Sequence, residues 1–128
     1  NEINEVLKKK KLGSIYKKKI LICGISYKKN INDCRESPAF EFIKILKKKG
    51  ANVMFHDPYI EKIPKLRNYN FSGKKSISLN KKNLELFDFV ILVTDHDIIN
   101  YKELKKYSKI IFDTRYKLKS NSGNVYHL

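Results

Sequence analysis

The chain has 128 residues, 41% of them hydrophobic, and a formal net charge of +15. That length suits one domain with a single buried core, and no run of 18 apolar residues exists to span a membrane. The charge invites a nucleic-acid reading, yet only three arginines (Arg35, Arg67 and Arg115) stand among 28 basic residues, and the lysines fall in short scattered runs. A biased composition accounts for such scatter as well as a phosphate-binding face does. Because arginine is the better bidentate ligand for phosphate or carboxylate, the three arginines carry more information than the lysines.

In chain order, residues 1–12 place Ile3, Val6, Leu7 and Leu12 among lysines before Gly13, which predicts a short amphipathic helix. Residues 19–25 form an unalternating apolar run of strand length, the pattern of a strand buried on both faces. Ser37 and Pro38 then open a helix as N-cap and first helical residue. Phe42, Ile43, Ile45 and Leu46 give it an apolar face, and Gly50 ends it. Residues 52–56 predict a second strand stopped by Asp57-Pro58, and residues 59–80 read as loop with a short element through Ile77. Helical turns are expected over 81–87, a third strand over 89–93, a helix over 98–107 and a fourth strand over 109–112. The segment 120–128 has little to fold with and is expected to be a tail. Strands alternating with helices specify an α/β fold, here a Rossmann-like three-layer sandwich with a mostly parallel sheet in the order 2-1-3-4.

Cys23 and Cys34 match no metal-ligand spacing and are too few for a disulfide framework, which suits a reducing cytoplasm. Cys23 reads as a small core residue; Cys34 lies beside Arg35, which favours a thiolate, but the inert reading is preferred there too. The chain begins with Asn rather than Met, so a fragment of a longer polypeptide is expected.

Each strand runs into a polar cluster: Tyr27-Lys28 with Asp33 and Arg35 after the first, His56-Asp57 at the second, Thr94-Asp95-His96 after the third, Asp113-Thr114-Arg115 after the fourth. In a parallel sheet these ends share one edge, where open α/β sheets bind ligands. Lys28, Arg35 and Arg115 should gather at that rim and suit an anionic ligand with a flat ring, the ring lying against Tyr27. Asp57 and Asp113 are expected to be caps or turn formers, and His96 to make local hydrogen bonds. No glycine-rich phosphate loop follows the first strand, where the chain reads Gly24-Ile-Ser-Tyr-Lys-Lys, so a self-sufficient dinucleotide site is not expected. No catalytic nucleophile or metal-ligand set emerges.

The stretch Gly24-Ile-Ser-Tyr-Lys-Lys-Asn-Ile-Asn-Asp-Cys-Arg-Glu-Ser-Pro38, followed in order by Gly50, His56-Asp57-Pro58-Tyr59, Val93-Thr94-Asp95-His96 and Asp113-Thr114-Arg115, resembles the C-terminal domain of the UDP-glucose/GDP-mannose dehydrogenase family. The resemblance implies an enzyme that oxidises the C6 alcohol of a UDP-sugar to a carboxylate with two NAD+, the product serving surface polysaccharide synthesis. It further implies that NAD is held mainly by an N-terminal domain, and that a central helical domain supplies the nucleophilic cysteine, which neither Cys23 nor Cys34 matches. Carried over by position, Tyr27, Lys28 and Arg115 are implied to bind the nucleotide sugar and Arg35 to reach the cofactor. Residues 1–17 would trail from the central domain, 18–119 would be the UDP-sugar-binding domain and 120–128 its tail. The partners implied are a UDP-sugar, the other domains of the same polypeptide and a homo-oligomeric mate. The wording of the motifs is most similar to the branch acting on UDP-N-acetylhexosamines, notably UDP-N-acetylglucosamine. A basic nucleic-acid-binding module and a free-standing nucleotide-sensing regulatory domain remain the alternatives.

Overall fold

The computed structural model describes residues 13–119 and 123–128; the helix expected over residues 1–12 lies outside them. Five strands form one parallel sheet: β1 (Lys19–Cys23), β2 (Asn52–His56), β3 (Phe89–Leu92), β4 (Ile111–Asp113) and β5 (Val125–His127), in the order β2-β1-β3-β4-β5. The expected order 2-1-3-4 is contained in it. Alternation across β1 divides the core. Ile20 and Ile22 pack with Phe40, Ile43 and Leu46 of α1 (Ala39–Lys48) on one face. Leu21 and Cys23 pack on the other with Leu84 of α2 (Lys81–Leu84) and Leu104 of α3 (Tyr101–Tyr107). Helices on both faces are what make β3 and β4 apolar at nearly every position and wholly buried, whereas Met54 on edge strand β2 is exposed.

The caps explain the element boundaries. Ser37 Oγ accepts the Ala39 amide at 3.2 Å, the capping role expected of it, with Pro38 in α-region backbone just ahead of α1. At the other end the Gly50 amide donates to the Lys47 carbonyl and the Ala51 amide to that of Leu46, a Schellman closure with Gly50 at φ +87°. A Cβ on Gly50 would also sit 2.4 Å from the ring of exposed Tyr16, which would have to swing aside, so it is the positive φ that calls for glycine here. The apolar face of α1 is Ala39, Phe40, Ile43 and Leu46; Ile45, expected on it, is 41% exposed.

Three expectations are corrected. The helix predicted over 98–107 begins at Tyr101, because Asn100 Oδ1 accepts the Glu103 amide and fixes the start there. The turns predicted over 81–87 shorten to α2, capped by Asn80. The segment expected to be a tail supplies β5, pairing parallel to β4 with Ile111 against Val125 and Asp113 against His127. Between β2 and α2 no strand forms through Ile77. Instead a Lys62–Lys75 bridge folds the loop on itself, and the Ile77 amide donates to the Phe55 carbonyl.

Strand β1 stops at Gly24, whose φ is +88° and whose Cα faces the backbone of Thr94 so closely that a Cβ would lie 2.3 Å from the Thr94 carbonyl oxygen. Gly73 has the same φ, but a methyl group there would meet nothing within 4 Å. Gly73→Ala should therefore show only the backbone strain of about 1 kcal/mol, and Gly24→Ala at least about 2 kcal/mol more, by urea unfolding. Equal losses would show that the Thr94 contact is not what excludes a side chain at Gly24.

Candidate functional site: a cationic cleft at the carboxyl edge of the sheet

The segment that leaves β1 is hung from a buried carboxylate. Asp57, immediately after β2, accepts the Ile25 amide (2.8 Å), the Ser26 amide (3.0 Å), Ser26 Oγ (2.9 Å) and His96 Nε2 (2.9 Å) on one oxygen, and the Tyr59 amide (2.8 Å) on the other. Both Asp57 and His96 side chains are fully buried. Burial pushes the Asp57 carboxyl up, but the hydrogen bonds from His96 and from the Tyr59 and Ile25 amides outweigh it and hold it below the usual carboxylate value. His96 Nδ1 accepts the Asn30 amide at 2.7 Å, which fixes the remaining ring proton on Nε2, facing Asp57. Asn30, at φ +65°, also exchanges two side-chain bonds with Asp97: its Nδ2 donates to Asp97 Oδ2, and the Asp97 amide donates to its Oδ1. Thr94 Oγ1 donates to the Ser26 carbonyl. The result is a loop, residues 27–30, pinned at both ends with Tyr27 and Lys28 exposed between the pins.

A second loop is built the same way. Buried Asp113, ending β4, accepts the Arg115 amide on one oxygen (2.9 Å) and the Leu118 amide on the other (2.7 Å). The Leu128 amide donates to its carbonyl, and His127 Nε2 bonds the Leu118 carbonyl. The two loops face each other across a cleft of about 500 Å³ lined by Tyr27, Lys28, Lys29, Pro38, Val93, Thr94, Asp95 and Arg115. Lys28 Nζ lies 5.7 Å from the Tyr27 ring centre, and Arg115 Nε lies 3.5 Å from Asp95 Oδ1. Asp95 is thus an acid inside a cationic cleft, within ion-pair distance of the Arg115 guanidinium.

Of the residues singled out from sequence, Tyr27, Lys28 and Arg115 share this cleft. Arg35 does not. It lines a neighbouring depression of about 440 Å³ with Asn32, Asp33, Tyr59, Lys62 and Pro64. Its guanidinium grips Asp33 through Nε (3.1 Å) and Nη2 (2.9 Å), which holds that exposed carboxyl at about 2. With Arg35 so occupied, burial dominates at Cys34 and pushes its thiol up; Cys23 is pushed to about 12 by burial and by the Asp57 charge. Both remain thiols. A smaller apolar-walled groove of about 290 Å³ by β2, lined by Ile43, Val53, Phe55 and Phe71, lies away from this edge. Lys29 and Asp95 are cleft residues that sequence reasoning does not single out as ligand contacts, although both stand within motifs read from the sequence. Among the described residues no cluster of acids, histidines and cysteines could hold a metal ion, and no helix is long and apolar enough to cross a membrane.

A depressed folded-state value for Asp57 means that its contribution to stability is full above the unfolded value of about 4 and is lost as pH falls through the folded value. Asp57→Asn should cost roughly 2–4 kcal/mol at neutral pH, since charge-assisted acceptors are replaced by a group that cannot serve all five donors. In urea unfolding the gap between wild type and Asp57→Asn should narrow as pH falls from about 7 to about 3. A gap constant across that range would show that the ionised carboxylate is not the stabilising species.

Comparison with known proteins places the chain in a family. The sequence profile described as "UDP-glucose/GDP-mannose dehydrogenase family, UDP binding domain" matches residues 21–120. A UDP-N-acetyl-D-mannosamine dehydrogenase of Methanococcus maripaludis is 33% identical over 122 residues, covering 88% of this chain and 26% of that protein. An NDP-N-acetyl-D-galactosaminuronic acid dehydrogenase of Ralstonia solanacearum is 28% identical over 103 residues, 78% of this chain and 23% of that one. Among solved structures, the UDP-D-ManNAc dehydrogenase of Pyrococcus horikoshii superposes with a TM-score of 0.70 at 25% identity, covering 98% of this chain and 28% of its own. The chain thus spans about a quarter of the length of the relatives it matches. On the profile match and these identities, the chain belongs to the UDP-glucose/GDP-mannose dehydrogenase family and corresponds to its UDP-binding domain.

Proposed function

We propose that this chain is the UDP-sugar-binding, C-terminal part of an NAD-dependent 6-dehydrogenase that oxidises the C6 alcohol of a UDP-N-acetylhexosamine to a carboxylate. The observation that carries the reading is the cleft itself: Lys28 and Arg115, 87 positions apart in sequence, line one concavity with aromatic Tyr27 and further cation Lys29. Two cations on opposed loops suit the two phosphates of a nucleoside diphosphate, and an exposed tyrosine suits a flat base or sugar face. The names of the relatives support an N-acetylated hexosamine and point to mannosamine rather than the glucosamine expected from motif wording.

The residues present do not make a dinucleotide site, since β1 leads into Gly24-Ile-Ser-Tyr-Lys-Lys rather than a glycine-rich turn. NAD is therefore assigned mainly to another domain of the polypeptide, with Arg35 in its separate depression as this chain's contribution to it. The domain limits proposed are residues 18–119 as the nucleotide-sugar domain, extended by the β5 segment, with residues 1–17 leading from a central domain. A homo-oligomer working in the cytoplasm and feeding surface polysaccharide synthesis completes the reading.

Calorimetric titration of the chain with UDP should show binding that weakens as salt is raised; no heat at several millimolar UDP would remove the proposal. In the full-length enzyme, Arg115→Ala should raise KM for the UDP-sugar about tenfold or more while kcat changes little, because a charge-assisted contact of about 1.5–3 kcal/mol is lost in ground and transition state alike. Wild-type KM in that variant would exclude Arg115 from the nucleotide.

A further inference from the structure

We infer that His96 is a positioning residue for the nucleotide: its two ring nitrogens couple the buried Asp57 carboxylate to the far end of the Tyr27–Lys28 loop, and through that coupling it sets where Lys28 stands in the cleft. The inference rests on the cleft being the nucleotide site, as proposed above.

Three observations carry it. His96 itself is fully buried and lines no part of the cleft, so it cannot touch a ligand there. Both ring nitrogens are nonetheless engaged, and by partners on different segments: Nε2 donates to Asp57 beyond β2 (2.9 Å), and Nδ1 accepts the Asn30 amide beyond β1 (2.7 Å). The same Asp57 oxygen that receives Nε2 receives the amides of Ile25 and Ser26, which begin the loop that Asn30 ends. One carboxylate and one imidazole therefore hold both feet of the loop that carries Tyr27 and Lys28. Lysine is a point charge on a flexible stem, so the aim of its ammonium depends on how well its backbone is fixed. The arrangement is kept tight from the sides as well. The Tyr59 ring packs edge-on to His96 at 4.8 Å, Tyr101 Oη donates to the His96 carbonyl, and Asp97 next along the chain takes the Asn30 side chain.

A purely structural histidine would lower stability without acting through Lys28, which separates the two roles. In the wild-type chain, nitrogen NMR of the imidazole should show the proton on Nε2, and the Asn30 amide should exchange far more slowly than an open loop amide; an Nδ1-protonated ring or a fast Asn30 amide overturns the inference. UDP affinities of wild type, His96→Phe, Lys28→Ala and the double variant then form a cycle. His96→Phe should weaken UDP about tenfold when Lys28 is present and less than about twofold when Lys28 is already alanine. Equal losses in both backgrounds, or no loss in either, overturn the positioning role. His96→Gln, which keeps one donor and one acceptor, should restore most of the affinity lost in His96→Phe, and failure to do so counts against it. Should His96→Phe not fold, the tautomer, the Asn30 exchange and His96→Gln decide. If Lys28→Ala and Arg115→Ala both bind UDP as wild type does, the cleft assignment fails instead, and that result is distinct from an additive cycle.

Discussion

A single buried carboxylate, that of Asp57, sets the geometry of this edge of the sheet. A charge without solvent is tolerated only when its lone pairs are filled, and here five donors fill them, drawn from the exits of β1, β2 and β3. Because those donors come from segments that are distant in sequence, satisfying the charge forces them together. Gly24 completes the constraint. With no Cβ, it lets the Thr94 backbone approach, and Thr94 Oγ1 then binds the Ser26 carbonyl. The exits of β1 and β3 are thereby clamped at one point.

Asp113 repeats the device on the other side of the cleft, with the Arg115 and Leu118 amides in place of Ile25 and Ser26. Each cation-bearing loop is therefore organised by a carboxylate that is itself buried away from the cleft. This separation matters electrostatically. Negative charge close to Lys28 and Arg115 would pair with them directly, whereas a buried carboxylate that accepts backbone amides orders the loop without occupying its cations. Asp95 is the exception, lining the cleft and lying 3.5 Å from Arg115 Nε.

Much of this is legible in the sequence because it rests on local rules. Unalternating apolar runs mark the interior strands, Ser37-Pro38 and Gly50 mark the limits of α1, and four polar clusters after four strands mark the edge. That pattern is enough to single out Tyr27, Lys28 and Arg115. What stays hidden is non-local. Asp57 and Asp113 do form the turns expected of them, through the Tyr59 and Arg115 amides, but nothing in the order of residues says that Asp57 also binds Ile25, Ser26 and His96. The His96 side chain makes hydrogen bonds, but not the local ones expected of it: its partners lie 39 and 66 residues away. Arg35 lines a depression beside the cleft rather than the cleft itself, since charge alone does not reveal that its guanidinium is held by an acid two residues before it. Strand β5 escapes notice since three residues with one fully buried side chain, Val125, leave no periodicity to detect.

That last strand also changes where the domain can be said to end. A boundary at residue 119 would look harmless on composition, yet it would strip the open side of β4 and leave its backbone groups as a template for another chain's strand. It would also withdraw the Leu128 amide from Asp113 and His127 from the Leu118 carbonyl. The arginine loop between those anchors would lose its outer wall, so residues 125–128 are as much a part of the cleft's architecture as the loop that points into it.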